Sequence, residues 1–232
     1  MSTALGYDNY EDLRDVLRLE IEHRGNSFSH RVEALQQRHG GGDQGFLAEH
    51  MLACAGNLQN LEASIDRPML ETSVDRLHSA GRVLVVGALG STGIAEYLTY
   101  MASFIANNWS MASRMGASLA SGLVGMSEQD VLIVMTKPPF ASNAINAARE
   151  AHDVGAFVIV ITDTHTCPAL EHASAHFIVP TTSPHFFSSY AATVVLCEVL
   201  MGMLAGRAGA PAMARIAEVE VRNRRLSEVW AD

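Results

Sequence analysis

Lysine is all but absent from this chain: of its 16 Lys and Arg residues, Lys137 alone is lysine. Positive charge is scarce overall. The formal net charge of -9 argues against a surface that binds nucleic-acid phosphates. Cysteine is scarce too. Cys54, Cys167 and Cys197 show no paired spacing and lie in apolar or helical contexts, which excludes a disulfide framework and points to reduced thiols in a cytoplasmic protein. The acidic N-terminal stretch "YDNYEDLRD" carries no apolar core of the signal-peptide kind. The glycine-rich "GALGSTG" is not G-x-G-x-x-G and no Walker lysine follows it, so a nucleotide signature is missing. No Ser–His–Asp, paired-carboxylate or metal constellation is legible. The sequence therefore names no catalytic residue, no metal site and no cofactor.

Apolar residues are plentiful at 48%, enough to bury a core. Leu13, Val16, Leu17 and Ile21 share a helical face, "RGNS" interrupts it, and Phe28, Val32 and Leu35 resume the period. "HGGGDQG" from His39 reads as a flexible joint, because three consecutive glycines cannot hold a helix. Leu47, Met51, Cys54, Leu58, Leu61 and Ile65 then form a narrow seam suited to packing on another helix, with Cys54 as part of that core. Asp66 is placed to cap the next helix, with Pro68 in its first turn and Gly81 at its end.

Beyond Gly81 short apolar runs alternate with helices. "RVLVVG" (82–87), "VLIVM" (131–135), "FVIVI" (157–161) and "HFIVP" (176–180) read as strands, with a weaker one near Trp109 to Ala112. Continuous Val/Ile runs mean strands covered on both faces, hence an α/β, doubly wound parallel sheet flanked by helices. "FFSSYAATVVLCEVLMGMLAG", from Phe186 to Gly206, has the length of a membrane span. It carries Glu198 and several hydroxyls, so it reads as a helix buried in a core or a subunit interface. The chain thus divides into a helical segment 1–69, an α/β domain 70–206 and a C-terminal helix 207–232.

In such a sheet ligands bind beyond the carboxyl ends of the strands. After the first strand, Gly87, Gly90, Ser91 and Thr92 form a turn whose backbone N–H groups can face an anion; the hydroxyls could donate as well or simply cap the helix. After the second clear strand comes "TKPPFASN". Its prolines donate no N–H, and Lys137, beside Thr136, could supply the missing positive potential. Ser142 and Asn143 suit helix caps better than ligand contacts. Thr162 ends the third clear strand, and His185 and Ser188 could reach the same edge. His165, Cys167, His172 and His176 invite a zinc reading, but His172 should end a short helix while His176 starts a strand, so four-ligand convergence is not expected.

Residues 70–205 resemble a sugar isomerase (SIS) domain, a flavodoxin-like parallel sheet that binds phosphosugars. "VLVVGALGSTGIAEYL" is similar to its first strand and G-x-G-x-S loop, with Ser91 at the family serine and Leu89 where the middle glycine is expected. "GAFVIVITDTHTCPALEHASAHFIVP" is similar to the family's later strand segment, with His176 in place of an Asp. Where the family has S-x-S-G-x-T, this chain reads T-K-P-P-F-A, and only Thr136 keeps a hydroxyl. The whole arrangement resembles the effector half of RpiR-type transcriptional regulators, which join a helix-turn-helix to an SIS domain; "PPFAS" is close to a variant of one subgroup.

That resemblance implies a ligand-sensing domain for a small anionic metabolite, a sugar phosphate. The apolar helix from Phe186 and the Leu47–Ile65 seam exceed what one sheet can cover, so a homodimer or tetramer is expected, and Glu198 within that helix argues against membrane insertion. DNA binding would require a helix-turn-helix upstream of Met1, since residues 1–40 hold seven acids against five arginines. The alternatives are an aldose–ketose phosphosugar isomerase, or a degenerate domain kept for dimerisation. Isomerisation needs a base near the site. Glu96, Glu150, His185 and Glu198 are the candidates, and Glu198, expected to be buried on an apolar helix, is the most unusual of them.

Overall fold

The computed structural model describes residues 27–39, 45–112 and 118–230. The Leu13–Ile21 helix and most of the glycine joint lie outside the described residues. The chain divides into two compact units: Met1–Gly56 with Thr181–Ser189, and Asn57–Pro180 with Tyr190–Asp232.

The first unit contains α1 (Phe28–His39) and the beginning of α2 (Phe46–Ser64). An aromatic group holds it together. The Phe28 and Phe187 ring centroids lie 4.5 Å apart, and the His185 ring lies 4.3 Å from Phe186 and 6.4 Å from Phe46. Arg31 donates to the His185 carbonyl at 3.3 Å. Phe186 and Phe187 are spent on this cluster, so the long helix expected from Phe186 starts only at Ala191. The predicted α2 seam is also only partly realised. Leu61 is buried and Ile65 packs on the core, whereas Leu47, Met51 and Leu58 are exposed and Cys54 is half-buried. Only the last turns of α2 reach the sheet's core.

The second unit is the α/β domain. Its strands are β1 (Val83–Gly87), β2 (Trp109–Met111), β3 (Val131–Met135), β4 (Phe157–Thr162) and β5 (Ala175–Ile178). They pair in parallel in the order β2-β1-β3-β4-β5. Alternate side chains enter two separate cores. Val85, Ile133 and Ile159 meet α3 (Arg67–Ser79), α4 (Thr92–Ile105) and α7 (Ala191–Arg225). Leu84, Leu132 and Val158 meet α5 (Leu119–Leu123) and α6 (Ser142–Asp153). Helices on both faces explain why the strands read as unbroken apolar runs. Asp66 caps α3 as expected, accepting from the Met69 N–H at 2.9 Å.

Helix α7 is long and apolar enough, by length and composition, to cross a membrane. Its apolar stripe, however, is already occupied: Leu196, Cys197, Leu200 and Leu204 are buried in the core with β1 and β3. Gly209, at φ 57°, interrupts the helix, and Pro211 follows in the resumed segment. Glu198 corrects an expectation. It is exposed and accepts a hydrogen bond from the Tyr97 hydroxyl at 3.0 Å, because it lies one residue round from the buried stripe.

Candidate functional site

The order of the strands fixes where a site can form. From β1 the chain goes to β2 on one side and then crosses to β3 on the other. The strand order thus reverses between β1 and β3, and it is at the carboxyl edge of such a reversal that doubly wound sheets bind ligands. In-register pairing of Gly87 with Met135 starts the loops leaving β1 and β3 side by side.

The first loop turns back at once. A Cβ on Gly87 would lie 2.5 Å from the Ala95 Cβ and 2.6 Å from the Ser91 carbonyl oxygen, so only glycine fits. Leu89 then adopts φ 51°, a left-handed conformation that costs an L-residue about 1–2 kcal/mol. This is the position where the resembled family carries glycine. With 65% of Leu89 exposed, little packing repays the strain. Leu89→Gly should hold or raise stability by up to about 1 kcal/mol despite glycine's larger unfolded-state entropy; a clearly lower midpoint in urea unfolding would contradict this. Neither hydroxyl caps α4. Thr92 donates to the Gly87 carbonyl at 3.2 Å, and buried Ser91 pairs with the Tyr190 hydroxyl at 3.0 Å. With the Ser91 side chain making no capping bond, the α4 N-terminus keeps its favourable potential for an anion.

The second loop brings in Lys137. Val131, Ile133 and Met135 face the α4/α7 core, and the same alternation turns Lys137 towards α7. Only 8% of the residue is exposed. Its Nζ donates to Thr193 Oγ1 at 2.9 Å and lies 3.8 Å from the centre of the Tyr190 ring. Burial pushes its pKa down to about 8, opposed by the nearby Asp163 carboxylate. Burial also raises the Tyr190 phenol, and it pushes the Cys197 thiol up to about 12. The outcome is a poised ammonium, one ring away from the serine of the first loop.

The other expected residues are placed differently. Thr136 is buried and its N–H donates to the Ile161 carbonyl at 3.2 Å. Ser142 and Asn143 sit exposed in the first turn of α6, and neither is its cap: that position is Ala141, with no side-chain bond. Thr162 is fully buried on the β4 face that carries Val158 and Val160, and its hydroxyl has no hydrogen-bond partner among the described residues. His185 and Ser188 belong to the first unit. His165 is exposed, Cys167 buried, and the His172 ring lies tilted against His152 with centroids 5.8 Å apart. Among the described residues, no three His, Cys, Asp or Glu side chains gather to hold a metal ion.

Sequence reading missed Tyr190, Thr193 and Cys197. Tyr190 is the residue just before α7, and Thr193 and Cys197 follow it at spacings of three and four, which puts them on the same side of the helix. Two hydroxyls on one face of an otherwise apolar helix were the available signal.

A glycine turn and a buried cation thus stand at the reversal point of a doubly wound parallel α/β sheet. The chain belongs to the SIS domain family, whose match spans residues 76–203. No curated protein sequence matches it significantly. Among solved structures, it is similar to the sugar isomerase domain of an RpiR transcription factor from Sphaerobacter thermophilus, with TM-score 0.71 and 19% identity, covering 76% of this chain and 98% of that one. The Vibrio vulnificus NanR protein complexed with ManNAc-6P gives TM-score 0.69 and 19% identity, over 97% of this chain and 79% of that one. Phosphoheptose isomerase GmhA from Neisseria gonorrhoeae gives TM-score 0.58 and 13% identity, over 70% of this chain and 98% of that one.

Proposed function

We propose that this chain is the ligand-sensing SIS domain of an RpiR-type transcriptional regulator, binding a small phosphorylated, sugar-like metabolite between the Gly87–Thr92 turn and Lys137. The observation that carries the reading is the chain's single lysine, buried at the β1/β3 reversal point. A buried ammonium is costly, and a phosphoryl group would compensate that cost. The α4 N-terminus and Ser91 offer further donors to the same group. The NanR structure, whose ligand is a sugar phosphate, supports the choice of ligand class.

Sensing is favoured over isomerisation by two of the four candidate bases. Glu150 is exposed on α6, and Glu198 is exposed and engaged by Tyr97, while Glu96 is half-buried on α4. A thermal-shift panel of sugar phosphates, followed by product analysis, tests the reading. A ligand should raise the melting temperature without being interconverted; steady turnover would favour the isomerase, and no shift with any sugar phosphate would favour a dimerisation scaffold.

Self-association, as a homodimer or tetramer, belongs to the same proposal. It is supported by the apolar residues that α2 leaves exposed, Leu47, Met51 and Leu58. Leu58→Asp should lower the mass seen in light scattering to that of the monomer, or cause aggregation. An unchanged multimeric mass would remove α2 from the interface, and a monomeric wild type would remove self-association altogether.

A further inference from the structure

The Tyr190 side chain stands between the first loop and Lys137. Its hydroxyl lies 3.0 Å from Ser91 Oγ. The same oxygen is close to Gly90, where an added Cβ would stand 3.1 Å from it. Its ring covers Lys137, with Nζ 3.8 Å from the centroid. One residue thus engages both the serine of the first loop and the cation of the second. Thr193, in the first turn of α7, accepts a hydrogen bond from the same ammonium at 2.9 Å.

We infer that Tyr190 is a built-in competitor at the anion site and sets its selectivity, so that only a doubly charged phosphoryl group displaces it. The inference rests on the ligand site proposed above. The phenol offers Ser91 one neutral oxygen and offers Lys137 the negative face of a ring. A phosphoryl dianion offers several charged acceptors to the same partners and makes charge-assisted bonds, which are stronger. A carboxylate brings a single charge, and an uncharged sugar hydroxyl brings no more than the phenol already supplies. Neither repays the loss of both tyrosine contacts. Selectivity for phosphorylated over free sugars then follows from what the ligand must displace, as well as from what it touches.

The competitor role makes an unusual prediction, because removing a hydroxyl from a binding site should tighten binding. Calorimetric titration with inorganic phosphate and, separately, with acetate tests it on the full chain. Tyr190→Phe keeps the ring over Lys137 and frees Ser91, so phosphate affinity should rise about three- to tenfold, the worth of one neutral hydrogen bond. Tyr190→Leu removes both contacts, and acetate should then bind measurably where wild type shows no heat. Equal or weaker phosphate binding by Tyr190→Phe, with binding intact in wild type, would overturn the competitor role alone. If no phosphate binds to either protein, the ligand site and the competitor fall together.

Discussion

Lys137→Met should make the ligand-free protein more stable while weakening phosphate binding about 5- to 150-fold. The first half follows from linkage. The native state holds the Lys137 proton only up to about pH 8, whereas the unfolded chain keeps it to the ordinary 10.5. Below pH 8 both states are protonated and the full burial penalty is present. Between pH 8 and 10.5 only the unfolded state binds the proton, so native stability rises with pH over that window. At 1.36 kcal/mol per unit the penalty is about 3 kcal/mol. Methionine matches the stem's volume without the charge. It leaves buried Thr193 without its donor, which returns about 1 kcal/mol. The expected net gain is about 1–2 kcal/mol at pH 7, or a melting temperature higher by about 2–8 °C for a chain of this size. The second half follows from losing a charged hydrogen bond, worth about 1–3 kcal/mol in a phosphate complex. Thermal unfolding at pH 7 and pH 9.5, with calorimetry against the sugar phosphate that shifts the melting temperature, reads both effects. A variant that is less stable at pH 7, or that binds as wild type does, would contradict the account.

Gly87→Ala should cost at least about 3 kcal/mol and abolish ligand binding. The added methyl meets the Ala95 Cβ at 2.5 Å and the Ser91 carbonyl oxygen at 2.6 Å. The second of these is backbone, so no rotamer change relieves it, and overpacking of this kind exceeds the usual 1–3 kcal/mol. The turn must open, and Ser91 leaves its place. Gly93 supplies the control six residues later. No other side chain among the described residues lies within 4 Å of a Cβ there, and it sits within α4, so Gly93→Ala should stabilise by about 0.5–1 kcal/mol. Urea midpoints of the two variants should move in opposite directions; a shift of Gly87→Ala smaller than 1 kcal/mol would mean that the turn is looser than its geometry.

The central strands were legible almost to the residue. The spans 131–135 and 157–161 correspond to β3 (Val131–Met135) and β4 (Phe157–Thr162), because strands covered on both faces are apolar at every position. Where hydrophobicity does not decide, the reading failed. Phe186 and Phe187 look like the start of α7, yet they pack with Phe28 and His185, a long-range choice that no local period records. The seam of α2 was assigned in full because periodicity states which residues share a face, without stating how much of that face finds a partner. Short α5 carries too few residues for a period to show.

The residues of the candidate site differ in how far the sequence shows them. Gly87, Ser91 and Lys137 stand at strand ends, so sequence order and strand polarity bring them together. Tyr190, Thr193 and Cys197 arrive from more than fifty residues further on, by the packing of α7 on the same face. On this helix the sequence singled out Glu198, as a candidate base for the alternative isomerase reading, because a charge on an apolar helix draws attention. One position of helical rotation separates an exposed carboxylate from a buried wall.

The single lysine permits one direct measurement of the central claim. With 13C-labelled lysine the protein gives one lysine side-chain spectrum, and its titration can be followed by NMR without assignment. In the free protein the Lys137 ammonium should titrate near pH 8, the value its burial sets. On addition of the sugar phosphate identified by thermal shift, its pKa should rise, because a bound phosphoryl dianion favours the charged form. A lysine that titrates near the ordinary 10.4 and does not respond to any sugar phosphate would contradict the account.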